Sequence, residues 1–90
     1  MMETESYKVR ILDPAAHELA RLDKQIGQRI VKRIHWLAEN LNNVQLVALK
    51  GDLASFYRLR VGDYRVVYEI LHGERAIVIH LIGHLREVYR

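Results

Sequence analysis

The 90-residue chain contains no cysteine and only one proline, one phenylalanine and one tryptophan. Without cysteine it can build neither a disulfide framework nor a thiolate zinc site, and this suits a reducing compartment. With half of the residues hydrophobic and a single proline, a disordered or low-complexity chain is excluded. No apolar run approaches the roughly 20 residues of a membrane span, and the opening MMETESYKVR has no apolar stretch of the secretory kind. The expectation is a soluble, cytoplasmic protein without a membrane partner. A chain this short has room for one core, so one domain over residues 1–90 is expected.

Several chemical signatures are missing as well. There is no GxxxxGK[ST] loop and no GxGxxG, so the usual nucleotide phosphate cradles are not indicated. His17-Glu18 lacks the second histidine of a HExxH metal site, and Ser6 and Ser55 stand in no nucleophile context. On one strand His80 and His84 would lie roughly 13 Å apart, too far to share a metal directly. No metal and no small-molecule cofactor are expected.

What the chain does have is a modest excess of positive charge: 14 Lys and Arg against 11 Asp and Glu, a formal net charge of +3. Its distribution says more than its sum, because three arginines and one acid, Asp63, fall between Tyr57 and Arg65.

The apolar pattern places these charges. Residues 7–12, YKVRIL, alternate apolar and basic side chains, the period of a half-buried strand. Asp13-Pro14 reads as a helix start, with Asp13 as cap, and predicts a short helix over 14–22 that buries Leu19 and Leu22. Asp23 can cap a second helix. There Ile26, Ile30, Ile34, Leu37 and Leu41 recur at three- and four-residue spacing, widened by Val31 and Ala38. Lys24, Arg29, Lys32 and Arg33 form its outer, solvated face, and Trp36 is assigned to the core. Asn40 to Asn43 ends this helix, and residues 44–54 read as a loop with a short extended piece. Gly62-Asp63 suits a two-residue hairpin turn with glycine first. A second turn around Gly73-Glu74 leads into RAIVIHLIGH, whose nearly unbroken apolar run fits a central strand. The expected fold class is α+β: an N-terminal strand, two helices, then a three-strand antiparallel meander, with helices on one sheet face.

With Gly62-Asp63 at the tip, Val61 pairs with Tyr64, Arg60 with Arg65, Leu59 with Val66 and Arg58 with Val67. Side chains alternate, so Tyr57, Leu59, Val61, Tyr64, Val66 and Tyr68 share the core face. Phe56, Arg58, Arg60, Arg65 and Glu69 share the other. A second turn of two residues would add His80 and His84 to the arginine face, and a one-residue slip would move them off it. Two readings of that face stand side by side. Either it is a solvated surface balanced by Glu69 and the helix acids, at a cost of a few tenths of a kcal/mol per like-charge pair, or its guanidinium forks await a dense anion such as a phosphate backbone.

LKGDLASFYRLRVGDYRVVYEI followed by IVIHLIGHLREVYR resembles the RelE/ParE superfamily of bacterial toxins, and more closely its RelE branch of mRNA-cleaving toxins (mRNA interferases). The element order agrees along nearly the whole chain, and the specific part is the last forty or so residues. The resemblance implies a type II toxin that enters the ribosomal A site, cuts mRNA without a metal and inhibits translation. A cognate, acidic, RelB-like antitoxin would neutralise it, while mRNA and ribosomal RNA would be its nucleic-acid partners. Carried over residue by residue, the implied functional set is Arg58, Arg60, Arg65 and Tyr89, with Lys50 and Arg86 as further RNA contacts. Chemistry adds His84, whose side-chain type titrates near neutrality and can act as acid or base. One position departs from the pattern: where relatives commonly have a catalytic arginine in GHRREVYR, this chain has Leu85, so either Arg86 or His84 substitutes for it or the activity is weakened. Two other functions are compatible with the resemblance, a ParE-like inhibitor of DNA gyrase and an inactive homologue that keeps antitoxin and ribosome binding.

Overall fold

The computed structural model describes residues 6–53 and 55–85. In chain order it contains β1 (Lys8–Ile11), α1 (Asp13–Arg21), α2 (Lys24–Glu39), β2 (Val47–Ala48), β3 (Phe56–Val61), β4 (Tyr64–Leu71) and β5 (Ala76–His84). Short 3-10 turns occupy Leu41–Asn43 and Gly51–Leu53. The α+β order expected from the sequence is observed, with boundaries shifted by a residue or so.

The strands form one five-stranded sheet in the order β1-β5-β4-β3-β2. β3, β4 and β5 make the expected antiparallel meander, and the extended piece in the 44–54 loop is β2, paired with Arg58 and Tyr57 of β3. β1 joins the far side of β5 in parallel, with Val9 beside Ile77 and Ile11 beside Ile79. The apolar run of β5 follows from this place between two strands: Ala76, Ile77, Val78 and Ile79 are all buried.

α2 supplies the stripe that the spacing predicted, whereas on the α1 side the expected Leu19 and Leu22 are only half-buried and Ala15 is the buried residue. Ile30, Ile34, Leu37 and Ala38 of α2 and Ala15 of α1 are buried against Val61, Val66, Tyr68, Ile77, Ile79 and Ile82 of the sheet. Full burial of one such aliphatic side chain contributes about 1.5–3 kcal/mol, so this layer carries the fold. Neither helix start is closed as expected. Asp13 lies inside the first turn of α1, where its charge favours the helix dipole, and Leu12 is the cap residue. Asp23 does cap α2 by position but makes no side-chain cap hydrogen bond. Trp36 is also not a core residue. It stays 40% exposed on α2, with the Arg33 guanidinium 4.3 Å from its ring centroid; at three- and four-residue spacing, position 36 lies off the 30–34–37 stripe.

The turns explain two backbone features. Gly62 has φ +60°, the left-handed region that the first position of a tight hairpin requires. At the second turn the left-handed residue is Arg75, φ 53°, instead of Gly73.

Three outcomes check this description. Gly62→Ala should lose about 1–2 kcal/mol of stability in chemical denaturation, because a left-handed alanine is strained, although an added Cβ would find only ordinary contact with Arg29 Nη1 at 3.5 Å. Gly73→Ala meets nothing within 4 Å and should be near neutral. Burial, and secondarily Tyr57, pushes the Tyr68 phenol up to about 12 from 10.0. A raised folded value means stability is intact below pH 10 and falls as pH rises toward 12, by a few kcal/mol in all. Tyr68→Phe should remove that fall from the pH profile of unfolding.

Candidate nucleic-acid interface

The hairpin register places the arginines as the turn signal predicted. Arg60 faces Arg65, Arg58 faces Val67, and Phe56 faces Glu69. All lie on the sheet face opposite the helix layer, because their neighbours Val61, Val66 and Tyr68 point into the core. From the parallel edge strand, Lys8 and Arg10 alternate onto the same face, beside Ala76 and Val78. Arg10 is drawn toward the turn by an exposed ion pair with Glu74 at 3.5 Å.

The three hairpin arginines are held differently. Nε and Nη1 of Arg65 are buried. Burial first, then the charges of Arg58 and Arg60, hold its guanidinium below the usual arginine value. An arginine stays protonated at neutral pH even so, which makes the shift a sign of burial beside two other cations. Arg60 is exposed, and its Nε donates to the carbonyl of Gly62 at 3.0 Å. That bond turns its stem toward the hairpin tip. Arg58 is half-buried in the middle of β3 and shares the field of the other two.

The histidines divide. His80 does reach the arginine face: its Nε2 lies 2.9 Å from Glu69 Oε1, and its ring packs edge-on to Phe56 with centroids 4.9 Å apart. His84 does not. Tyr68 pairs with Ile79 but Val67 pairs with Leu81, so His80 is an extra residue in β5. Such a bulge reverses the alternation of everything after it. His84 therefore pairs with Tyr64 on the helix-side face, with ring centroids 5.3 Å apart. Its expected place among the arginines is corrected accordingly. The sequence carries no turn residue at the bulge, whereas the His80–Glu69–Phe56 cluster that occupies it was legible only as three side chains on one face.

Lys50 is exposed in the loop between β2 and the 3-10 turn. Leu85 follows β5, and its backbone N–H donates to the carbonyl of Asp63 at 2.8 Å, which ties the end of β5 to the hairpin tip. Arg86 and Tyr89 lie outside the described residues. Among the described residues no three His, Asp or Glu side chains form a group that could hold a metal ion. A cavity of about 620 Å³ lies between α1 and α2 and is lined mainly by Leu19, Leu22, Gly27 and Val31. It is on the other side of the molecule's sheet from the arginines and has no part in their chemistry.

Three guanidiniums on one sheet face have the chemistry to receive a dense anion, and here the comparison with known proteins becomes informative. Residues 9–89 match the sequence model of the ParE toxin of type II toxin-antitoxin systems. The chain belongs to the RelE/ParE superfamily of type II toxins. Toxin RelE of Mycobacterium tuberculosis is 34% identical over 92 aligned positions, covering 100% of this chain and 93% of that protein. Among solved structures, the toxin-antitoxin complex RelBE of M. tuberculosis has a chain that is 28% identical, with TM-score 0.79 over 88% of this chain and 91% of that one. The archaeal RelE-RelB complex of Pyrococcus horikoshii is 27% identical with TM-score 0.71, covering 89% and 96%. A free mutant E. coli toxin RelE, at 19% identity and TM-score 0.76 over 93% and 90%, shares the fold. For this RelE/ParE toxin no described helix is long and apolar enough to cross a membrane.

The anion site itself can be tested. Inorganic phosphate should raise the thermal unfolding midpoint more than chloride at equal ionic strength. Tenfold saturation of one site contributes about 1.4 kcal/mol, a shift of several degrees for a domain this size. The Arg58→Gln/Arg65→Gln double variant should respond equally to both salts.

Proposed function

We propose that this toxin is a ribosome-dependent endoribonuclease that cleaves mRNA in the ribosomal A site and so inhibits translation. The observation that carries the reading is the placement of Arg58, Arg60 and Arg65 on one sheet face, with the Arg65 guanidinium depressed by burial and by its two neighbours. Guanidinium forks match phosphate oxygens two at a time, so a face that gathers three of them suits a dense anion. The likeness to Toxin RelE along the whole chain supports the same reading.

Cleavage of an RNA linkage by its own 2′-OH forms a bond from that oxygen to phosphorus and breaks the bond to the 5′ oxygen. A proton must leave the nucleophile, negative charge gathers on the phosphoryl oxygens, and the leaving oxygen must gain a proton. In this reading Arg65 and Arg58 stabilise the phosphoryl charge, the task for which preorganised cations are suited. Arg60, bonded to the hairpin backbone, positions the strand. Arg60 is no general base, since its guanidinium keeps its proton. Lys50 and Arg86 add phosphate contacts, and Tyr89 stacks on a base or assists proton transfer. His84 could serve as acid or base only from the strand end beside Leu85, reaching around from the Tyr64 side. His80, oriented by Glu69 on the arginine face itself, is the second imidazole to test. Leu85 can neither donate a proton nor balance charge, and we read it as attenuating.

The partner follows from the same surface. An acidic, partly disordered, RelB-like antitoxin would order against the cationic toxin and cover it. The M. tuberculosis and P. horikoshii relatives, both solved as toxin-antitoxin complexes, support that assignment.

Inducing the toxin and mapping new 5′ ends of cellular mRNA tests the reading. Breaks within translated codons are expected, and Arg65→Ala should reduce them by about 10²-fold or more. An SOS-type DNA-damage response without such breaks would instead favour gyrase inhibition, the reading that the ParE family description keeps in play. Leu85→Arg should increase both toxicity and cleavage; an unchanged rate would reject attenuation by Leu85.

A further inference from the structure

A second cationic surface lies around the hairpin edge from the arginine face. Arg29, Lys32, Arg33 and Trp36 of α2 face Arg60 and Gly62 across a groove of about 450 Å³. Positions 29, 32, 33 and 36 lie on one side of the helix, with Arg29 about one turn, ~5.4 Å, from Lys32 and Arg33 and Trp36 about one turn beyond these. The hairpin approaches closely enough that a Cβ on Gly62 would come within 3.5 Å of Arg29 Nη1. Four cations line this groove and no acid does. Among the described residues no carboxylate forms an ion pair with any of them. Trp36, the only tryptophan of the chain, is 40% exposed with Arg33 stacked on it.

We propose that this groove between α2 and the hairpin tip is a second RNA contact, in which a nucleotide outside the scissile linkage stacks on the Arg33–Trp36 pair while Arg29, Lys32 and Arg60 hold the flanking phosphates. Charge complementarity calls for a polyanion. The exposed indole under a guanidinium discriminates further, because every base offers a π-face to such a platform and an acidic peptide backbone does not. Arg60 links the two surfaces. It pairs with Arg65 across the hairpin, yet its Nε bond to the Gly62 carbonyl keeps the guanidinium at the edge, where it also lines the groove. A strand leaving the Arg58–Arg65 face can therefore continue over the hairpin edge into the groove. The inference extends the endoribonuclease reading and rests on it for the choice of RNA over other polyanions.

Trp36 makes its own probe. Uncleavable 2′-O-methyl RNA, titrated into the purified chain, should quench tryptophan fluorescence, while inorganic polyphosphate and poly-glutamate of equal charge should not. Trp36→Phe should weaken binding of labelled RNA about tenfold in an anisotropy assay. The Arg29→Gln/Lys32→Gln double variant should lower the slope of log affinity against log salt by about 1.4, two phosphate contacts at ~0.7 each for a single strand. Thermal unfolding midpoints within a few degrees of the native chain establish that these variants fold. Quenching by RNA should persist in Arg65→Ala, so that loss of cleavage with intact quenching strikes only the nuclease reading. Absent quenching, or an unchanged salt slope in the double variant, overturns the groove proposal even where cleavage is intact. Tighter binding of poly-glutamate than of RNA overturns it too, in favour of an acidic protein partner.

Discussion

The constraint on which the rest depends is that only one face of the sheet needs to hold the protein together. Ile30, Ile34 and Leu37 pack on Val66, Tyr68, Ile77 and Ile79, and each aliphatic side chain buried there contributes a few kcal/mol. Repulsion between facing arginines costs a few tenths. The helix layer thus outweighs the charge cluster many times over, which frees the opposite face to carry Arg58, Arg60 and Arg65 together. A sheet covered on both faces could not present them.

The same division explains why the arginines are preorganised. Arg58 and Arg60 stand on β3 and Arg65 on β4, whose pairing continues from Phe56 and Glu69 to the Gly62-Asp63 turn. Their spacing is a property of the hydrogen-bond ladder and does not rely on loop conformation. The carbonyl of Asp63, bonded to the Leu85 N–H, fastens the hairpin tip to the end of β5.

The bulge at His80 sorts the other polar side chains. By inserting one residue, β5 keeps His80 with Glu69 and Phe56 on the arginine face and sends His84 to Tyr64. It also leaves Leu81 43% exposed while Ile82 is buried at 2%. Family membership says nothing of this assignment, because whole-chain similarity does not report which side of a sheet one imidazole occupies.

The sequence by itself determined the helix stripe, the hairpin and its register, and with them the apposition of Arg60 and Arg65. These follow from local rules: a 3.6-residue period, a two-residue period, and a glycine turn that leaves only one pairing. The family was legible too, in the residues from Leu49 onward. Only the tertiary structure decided the parallel docking of β1 on β5 and the side of the sheet taken by His84. Each depends on contacts between segments far apart in the chain, or on an inserted residue in a strand whose apolar run looks the same in either register, and no local pattern encodes which partner will be found.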